Sequence, residues 1–239
     1  MKKFLFAMAL SFVATFSWAA DVLVVGTEST YPPFEMRDSS GELVGFDIDL
    51  VNAIGQKLGM QVQWQDMSFD SLIPSLLTNK IQLIAAGMTA TPERMQVIDF
   101  TSPYYSSADA WLTCDGTKVE SVDVFKGKTV GVQMGTIQDL KATEMGFTVR
   151  RYKTTNDAAL DLTLGRIDAF LVDAVVGQRM IASNQFKGME LAYLEEDENG
   201  ALSLGLSKKN SELKNKIETV LEEMASSGEL ERLRQKWTQ

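Results

Sequence analysis

The chain has no histidine and a single cysteine, Cys114, among its 239 residues. Without imidazole there is no imidazole-based catalytic triad, acid–base pair or metal site, and one thiol cannot build a thiolate zinc site or an internal disulfide. No metal and no cofactor are therefore expected, and Cys114 is expected to be a buried free thiol or, as the alternative, a dimer-prone one. Basic charge is scarce as well. The 23 Lys and Arg against 32 Asp and Glu give a formal charge of −9, which excludes a nucleic-acid partner because its phosphates would be repelled rather than neutralised. Long apolar runs are confined to the start. Met1, Lys2 and Lys3 precede an apolar stretch from Phe4 to Phe16, and Ser17-Trp18-Ala19 supplies small residues at the positions a signal peptidase reads. Residues 1–20 are thus predicted to be a signal peptide, cleaved after Ala19 or Ala20. The apolar run falls short of the ~20 residues needed to span a bilayer. No cysteine stands at the cleavage point to take a lipid, so a free periplasmic protein is expected.

The rest of the chain alternates strand-like and helix-like patterns. Val22 to Val25 reads as a strand, and Phe46, Leu50, Val51, Ile54 and Leu58 recur at helical spacing up to Gly59. Val62 to Trp64 is a second strand, Ser71 to Lys80 a helix and Ile81 to Ala86 a third strand. A similar series follows the turn Thr113-Cys114-Asp115-Gly116: a strand from Lys128 to Gln133, a helix opening at Thr136, a helix from Thr155 to Gly165 and a buried-type strand from Ile167 to Val172. Strands that alternate with helices predict parallel sheets buried on both faces. The tail from Asn210 to Trp237 is helical, with Leu213, Ile217, Val220, Leu221 and Met224 on one face that needs a sheet to cover. The expected architecture is α/β in two lobes: residues 21–110 with 205–239, and residues 111–204. The chain is expected to cross between them near Ala110 to Thr113 and near Leu202 to Leu206.

Three turns at strand ends carry the candidate chemistry. In Gly87-Met88-Thr89-Ala90-Thr91-Pro92-Glu93-Arg94, Thr91 suits an N-cap and Pro92 the first helical position. Arg94 then lies in the first turn, where a cation opposes the helix dipole. Either an anion such as a ligand carboxylate sits between the guanidinium and the free N–H groups, or Arg94 is a surface residue paired with Glu93 or Asp99. Asp173 ends a buried strand, where ligands of open α/β sheets collect; it either meets a cation or caps the helix from Ala174. In Thr27-Glu28-Ser29-Thr30-Tyr31-Pro32-Pro33-Phe34, two prolines stiffen a loop that would present Tyr31 to a ligand, while Phe34 reads as core. Phe69 reads equally as the opposing aromatic wall or as core. Gln133-Met134-Gly135-Thr136 repeats the strand-to-helix turn and is too short for a phosphate loop. Most of the twelve methionines read as core, with Met134 a candidate ligand contact.

Taken together, the motifs GTESTYPPFE, GELVGFDIDL, FDSLIPSL, AAGMTATPER, IDFTSPYY, GKTVGVQMGT and LGRIDAFLVD, in that order and followed by a final helix ending in Lys236-Trp237, resemble a solute-binding protein of the polar amino-acid family that serves ABC importers. The resemblance implies two α/β lobes joined by a two-strand hinge with a free amino acid between them. It implies that Arg94, helped by Gly87, Thr89 and Thr136, holds the α-carboxylate and that Asp173 takes the α-ammonium. It places Tyr31 and Phe69 beside the side chain and Glu28 at the ligand's distal nitrogen, while Gln133, Met134 and Met88 join the expected ligand-binding set from their strand-end turns. A cationic ligand such as arginine is then the first expectation and glutamine the next. The implied partners are a small-molecule amino acid and ABC permease membrane subunits, and the implied state is a monomer without enzymatic activity. An enzyme on the same scaffold, like the periplasmic cyclohexadienyl dehydratases with Glu28 as general acid, and a ligand-sensing receptor component are the alternatives. Gln82 replaces an acid common in that strand, and Cys114 lacks the disulfide partner some relatives have.

Overall fold

The computed structural model describes residues 21–195 and 200–238, so the predicted signal segment lies outside the described residues. Two sheets organise the chain. The first runs in the order Gln61–Asp66, Val22–Thr27, Leu83–Ile84, Gly205–Leu206, Asp99–Phe100; its first three strands are parallel, and Gly205–Leu206 is antiparallel to both neighbours. The second runs Thr148–Tyr152, Thr129–Gln133, Ala169–Asp173, Asp109–Thr113, Glu190–Glu195, again with three parallel strands and one, Asp109–Thr113, antiparallel to both neighbours.

Both faces of each sheet are covered, as the near-continuous apolar runs require. In Val22–Thr27, Leu23 and Val25 pack with the helix Phe46–Leu58, while Val24 turns to the other face, where Leu72 and Leu76 of the helix Phe69–Leu77 lie. This is the two-residue side-chain period of a strand. In Ala169–Asp173, Phe170 and Val172 face one cluster and Ala169 and Leu171 another. The tail covers the first sheet's helix: Leu213, Ile217, Val220, Leu221 and Met224 are buried together with Leu50, Val51 and Ile54. It is two helices rather than one, Ser211–Ser226 and Glu229–Thr238, because Gly228 takes φ 72° and turns the chain.

The strand Thr148–Tyr152 was not expected from the sequence. It is an edge strand, half-exposed and carrying Arg150 and Arg151, so its pattern lacks the apolar run that marks a buried strand. The first crossing lies earlier than expected, and the second overlaps its expected stretch at Leu202. Ala110–Thr113 is wholly buried in the second sheet, with Trp111 stacked on Phe125. A connector open to water would leave that indole exposed. The chain instead crosses on a two-stranded antiparallel ribbon, Tyr105–Ser106 with Ala201–Leu202, so Asp109 and Ala110 belong with the second lobe and Gly205–Leu206 is already in the first sheet. Cys114 is half-buried against the second-lobe core rather than fully buried. No described helix is long and apolar enough to cross a membrane.

Candidate functional site

The parallel strands of both sheets end at one cleft between the lobes. Tyr31, Phe69, Gly87, Thr89 and Arg94 line it from the first lobe, and Gln133, Thr136 and Asp173 from the second. The space left among them is about 20 Å³, room for about one water. A free amino acid would therefore enter only with the lobes apart.

Arg94 is placed by the helix Pro92–Val97, whose cap Thr91 accepts from the Arg94 amide at 3.3 Å. Its guanidinium donates from Nη1 to the Thr89 carbonyl at 2.6 Å and, across the cleft, from Nη2 to the Gly135 carbonyl at 2.8 Å. The Phe69 ring lies 5.4 Å from it. The side chain is only 9% exposed, and burial pushes its pKa down to about 10. The pairing with Glu93 or Asp99 does not form. Among the described residues no carboxylate lies within 4.0 Å of this guanidinium, and Asp99 faces Lys214 at 3.8 Å. A desolvated cation met by carbonyl dipoles and a ring has the chemistry to accept an anion.

Opposite it, Thr136 caps the helix Ile137–Glu144, its Oγ1 accepting from the Asp139 amide at 3.2 Å. That helix turns its N-terminal end to the cleft, which adds partial positive charge beside the guanidinium. Of its two possible roles, Asp173 takes the helix cap. Its Oδ1 accepts from the Val175 and Val176 amides at 2.9 and 3.3 Å, capping the helix Ala174–Ala182, and the residue also lines the cleft. Burial raises its pKa to about 6 against the hydrogen bonds from Ser107 and those amides.

Gly87 has to be glycine: at φ 53° a Cβ would lie 2.7 Å from Cε1 of Tyr31. Its N–H donates to Oδ2 of the buried Asp47 at 3.0 Å, which fixes the floor under the Tyr31 ring. Tyr31 and Phe69 are nearly buried at the cleft's edge, whereas Phe34 is fully buried in the core, as expected.

Three candidates lie off the cleft surface. Glu28 sits behind it, accepting from Thr30 Oγ1 at 2.7 Å and from Nε2 of the lining residue Gln133 at 2.9 Å, with burial raising its pKa to about 7. Met88 is core, packed with Phe69, Leu72 and Ile84 in the turn between the cleft-lining Gly87 and Thr89. Met134 is half-buried and does not line the cleft; the Gln133–Thr136 turn points it away. Sequence reading missed Gln138 and Asp109, which line the cleft and join through Gln138 Nε2 to Asp109 Oδ1 at 2.8 Å. Asp109 also meets Lys141 at 2.8 Å. The available signal was an acid opening an apolar strand, Asp109-Ala110-Trp111-Leu112, the same pattern in mirror image that flagged Asp173.

The family profile "Bacterial extracellular solute-binding proteins, family 3" matches residues 23–239. The chain is 35% identical over 220 residues to the arginine-binding extracellular protein ArtP of Bacillus subtilis (strain 168), covering 90% of this chain and 85% of that one. Among solved structures, an ancestral arginine-binding protein bound to arginine is 36% identical at a TM-score of 0.86, covering 91% of this chain and 98% of that one. An ancestral arginine-binding protein bound to glutamine matches at the same identity and TM-score, covering 92% and 99%.

Proposed function

This chain belongs to the bacterial extracellular solute-binding proteins, family 3, and from that premise we propose that it captures a free L-amino acid with a cationic side chain, arginine first, and hands it to the membrane subunits of an ABC importer from the periplasm. The observation that carries this reading is the buried Arg94 guanidinium, without a carboxylate partner among the described residues, facing Asp173 across one cleft. The two charges match the two ends of an amino-acid zwitterion. Each charged hydrogen bond to such a ligand contributes roughly 1.5–3 kcal/mol, so a bidentate carboxylate and an ammonium contact suffice for the ~8 kcal/mol of micromolar binding.

First-lobe groups can engage the ligand while the lobes are apart, and Asp173 and Thr136 add their contacts only on closure. The ligand therefore draws the protein into the closed form by differential contact. Glu28, one residue behind the lining at Gln133, supports a cationic side chain, and the relatives named for arginine point the same way. Glutamine is the second reading: with its pKa near 7, Glu28 can also serve as a neutral acid beside an amide, and one solved relative is bound to glutamine.

A thermal-shift panel of the twenty amino acids followed by calorimetry tests the proposal. The largest shift is expected with arginine; a strongest response to aspartate or glutamate would overturn the cationic pocket, and no response to any amino acid would overturn the ligand class.

A further inference from the structure

Away from the cleft lining, two threonines join the lobes directly. Thr155 is the first residue of the helix Thr155–Thr163 in the second lobe and is fully buried; Thr30 lies in the first lobe's strand Thr30–Tyr31. The Thr155 amide donates to Thr30 Oγ1 at 3.3 Å, and the Thr155 hydroxyl donates to the Thr30 carbonyl. Thr30 Oγ1 in turn donates to Glu28 Oε1 at 2.7 Å.

Each hydroxyl has one proton, and with Glu28 ionised this fixes the direction of every bond. The Thr155 proton goes to the Thr30 carbonyl. The Thr30 oxygen accepts the Thr155 amide and gives its own proton to Glu28. A single chain of hydrogen bonds thus runs from one lobe through Thr30 to Glu28, whose other oxygen accepts from Gln133 of the second lobe. With the lobes apart, the Thr155 amide and hydroxyl leave Thr30 to water, and the Thr30 hydroxyl is free to rotate off Glu28.

Resting on the reading that Glu28 receives a cationic side chain, we propose that Thr155 is a positioning residue: it clasps the lobes together and aligns Glu28 through Thr30 without touching the ligand. Closure and side-chain recognition are then one event. An amino acid with a cation at its far end gains from the aligned carboxylate, and its neutral isostere gains only from the clasp.

The test uses the whole protein with Thr155→Val, which keeps the side chain's shape and removes the hydroxyl, and Thr155→Ser, which keeps the hydroxyl. Arginine and citrulline affinities and arginine dissociation rates are measured, together with the radius of gyration by small-angle scattering. Losing the bond and leaving the Thr30 carbonyl without its partner predicts about five- to tenfold faster arginine dissociation in Thr155→Val. A larger radius of gyration and a smaller arginine-to-citrulline affinity ratio are expected with it, and Thr155→Ser should stay within about twofold of the parent in every readout. Parent-like rate and radius in Thr155→Val would overturn the clasp. An equal loss for arginine and citrulline would overturn the link to Glu28. Should the parent protein bind neither ligand, the amino-acid reading fails on its own; the radius of gyration then decides the clasp, an increase in Thr155→Val supporting it and no change overturning it.

Discussion

The two lobes are built on one plan: three parallel strands, then an antiparallel strand supplied by the chain as it crosses from, or returns to, the other lobe. Arg94 of the first lobe and Asp173 of the second both line the cleft, yet the two charges are held differently. Asp173 is satisfied within its own lobe, where two first-turn amides meet its Oδ1 and the helix dipole favours its negative charge. Arg94 is not. It sits in the first turn of a six-residue helix whose dipole opposes it, and one of its two carbonyl partners belongs to the other lobe. The electrostatic deficit of the cleft therefore lies on the first lobe, which under the proposed function is where an anionic group is expected to dock first.

Replacing Arg94 with alanine has the largest expected effect. Two charged hydrogen bonds at roughly 1.5–3 kcal/mol each correspond to at least about a hundredfold loss of amino-acid affinity by calorimetry. Stability should be kept or raised, since a desolvated cation is removed; near-parental affinity would show that the deficit is not what the ligand fills.

Asp173 separates its two roles by substitution. Asparagine keeps an acceptor for the cap and drops the charge, so Asp173→Asn should bind roughly ten- to a hundredfold more weakly with an unchanged melting temperature. Asp173→Ala should lose the same affinity and also about 1 kcal/mol of stability from the missing cap. Equal melting temperatures for the two variants would mean the cap contributes nothing and the lobes are more alike than proposed.

The smallest effect is in pH. Burial raises Glu28 from 4.5 to about 7, and Asp173 and Asp47 from 3.8 to about 6. The folded protein thus holds these protons more tightly than the unfolded chain. The stability this provides is fully present below about pH 4 and is lost as pH rises through 6 to 7. The protein without ligand should melt a few degrees lower at pH 8 than at pH 5, as read by calorimetry. Affinity for arginine should change in the opposite sense, rising with pH as Asp173 and then Glu28 ionise, and Glu28→Gln should remove the upper part of that rise, near pH 7. An arginine affinity that stays flat from pH 5 to 8 in the parent would remove Glu28 from the side-chain subsite.

Much of the architecture was readable from local patterns. The helix Phe46–Leu58 ends where Gly59 takes φ 67°, and the strands ending at Gln133 and Asp173 carry continuous apolar runs. Arg94 and Asp173 were legible because a cation in a helix's first turn and an acid at the end of a buried strand each look out of place in the local sequence. Met88 and Met134 were not separable by the same means. A methionine in a strand-end turn has the same sequence neighbours whether the turn sends it inward or outward, and that is decided by what packs around the turn. The ribbon at Tyr105–Ser106 was misplaced because Ala110-Trp111-Leu112 fits an extended connector as well as a central strand until its partners on both sides are known.

By itself the sequence determined what nearest neighbours decide: caps at Thr91, Thr136 and Asp173, the proline-started turn that carries Arg94, and the alternation that makes two parallel sheets. Those rest on contacts within about four residues, where chain connectivity brings the partners together. Tertiary structure alone decided that Arg94 meets Gly135, that Gln133 reaches Glu28 and that Thr155 closes on Thr30, pairs separated by 41, 105 and 125 residues. It also set the raised acids, because removing a charge from water depends on everything packed around it, wherever in the chain those atoms come from.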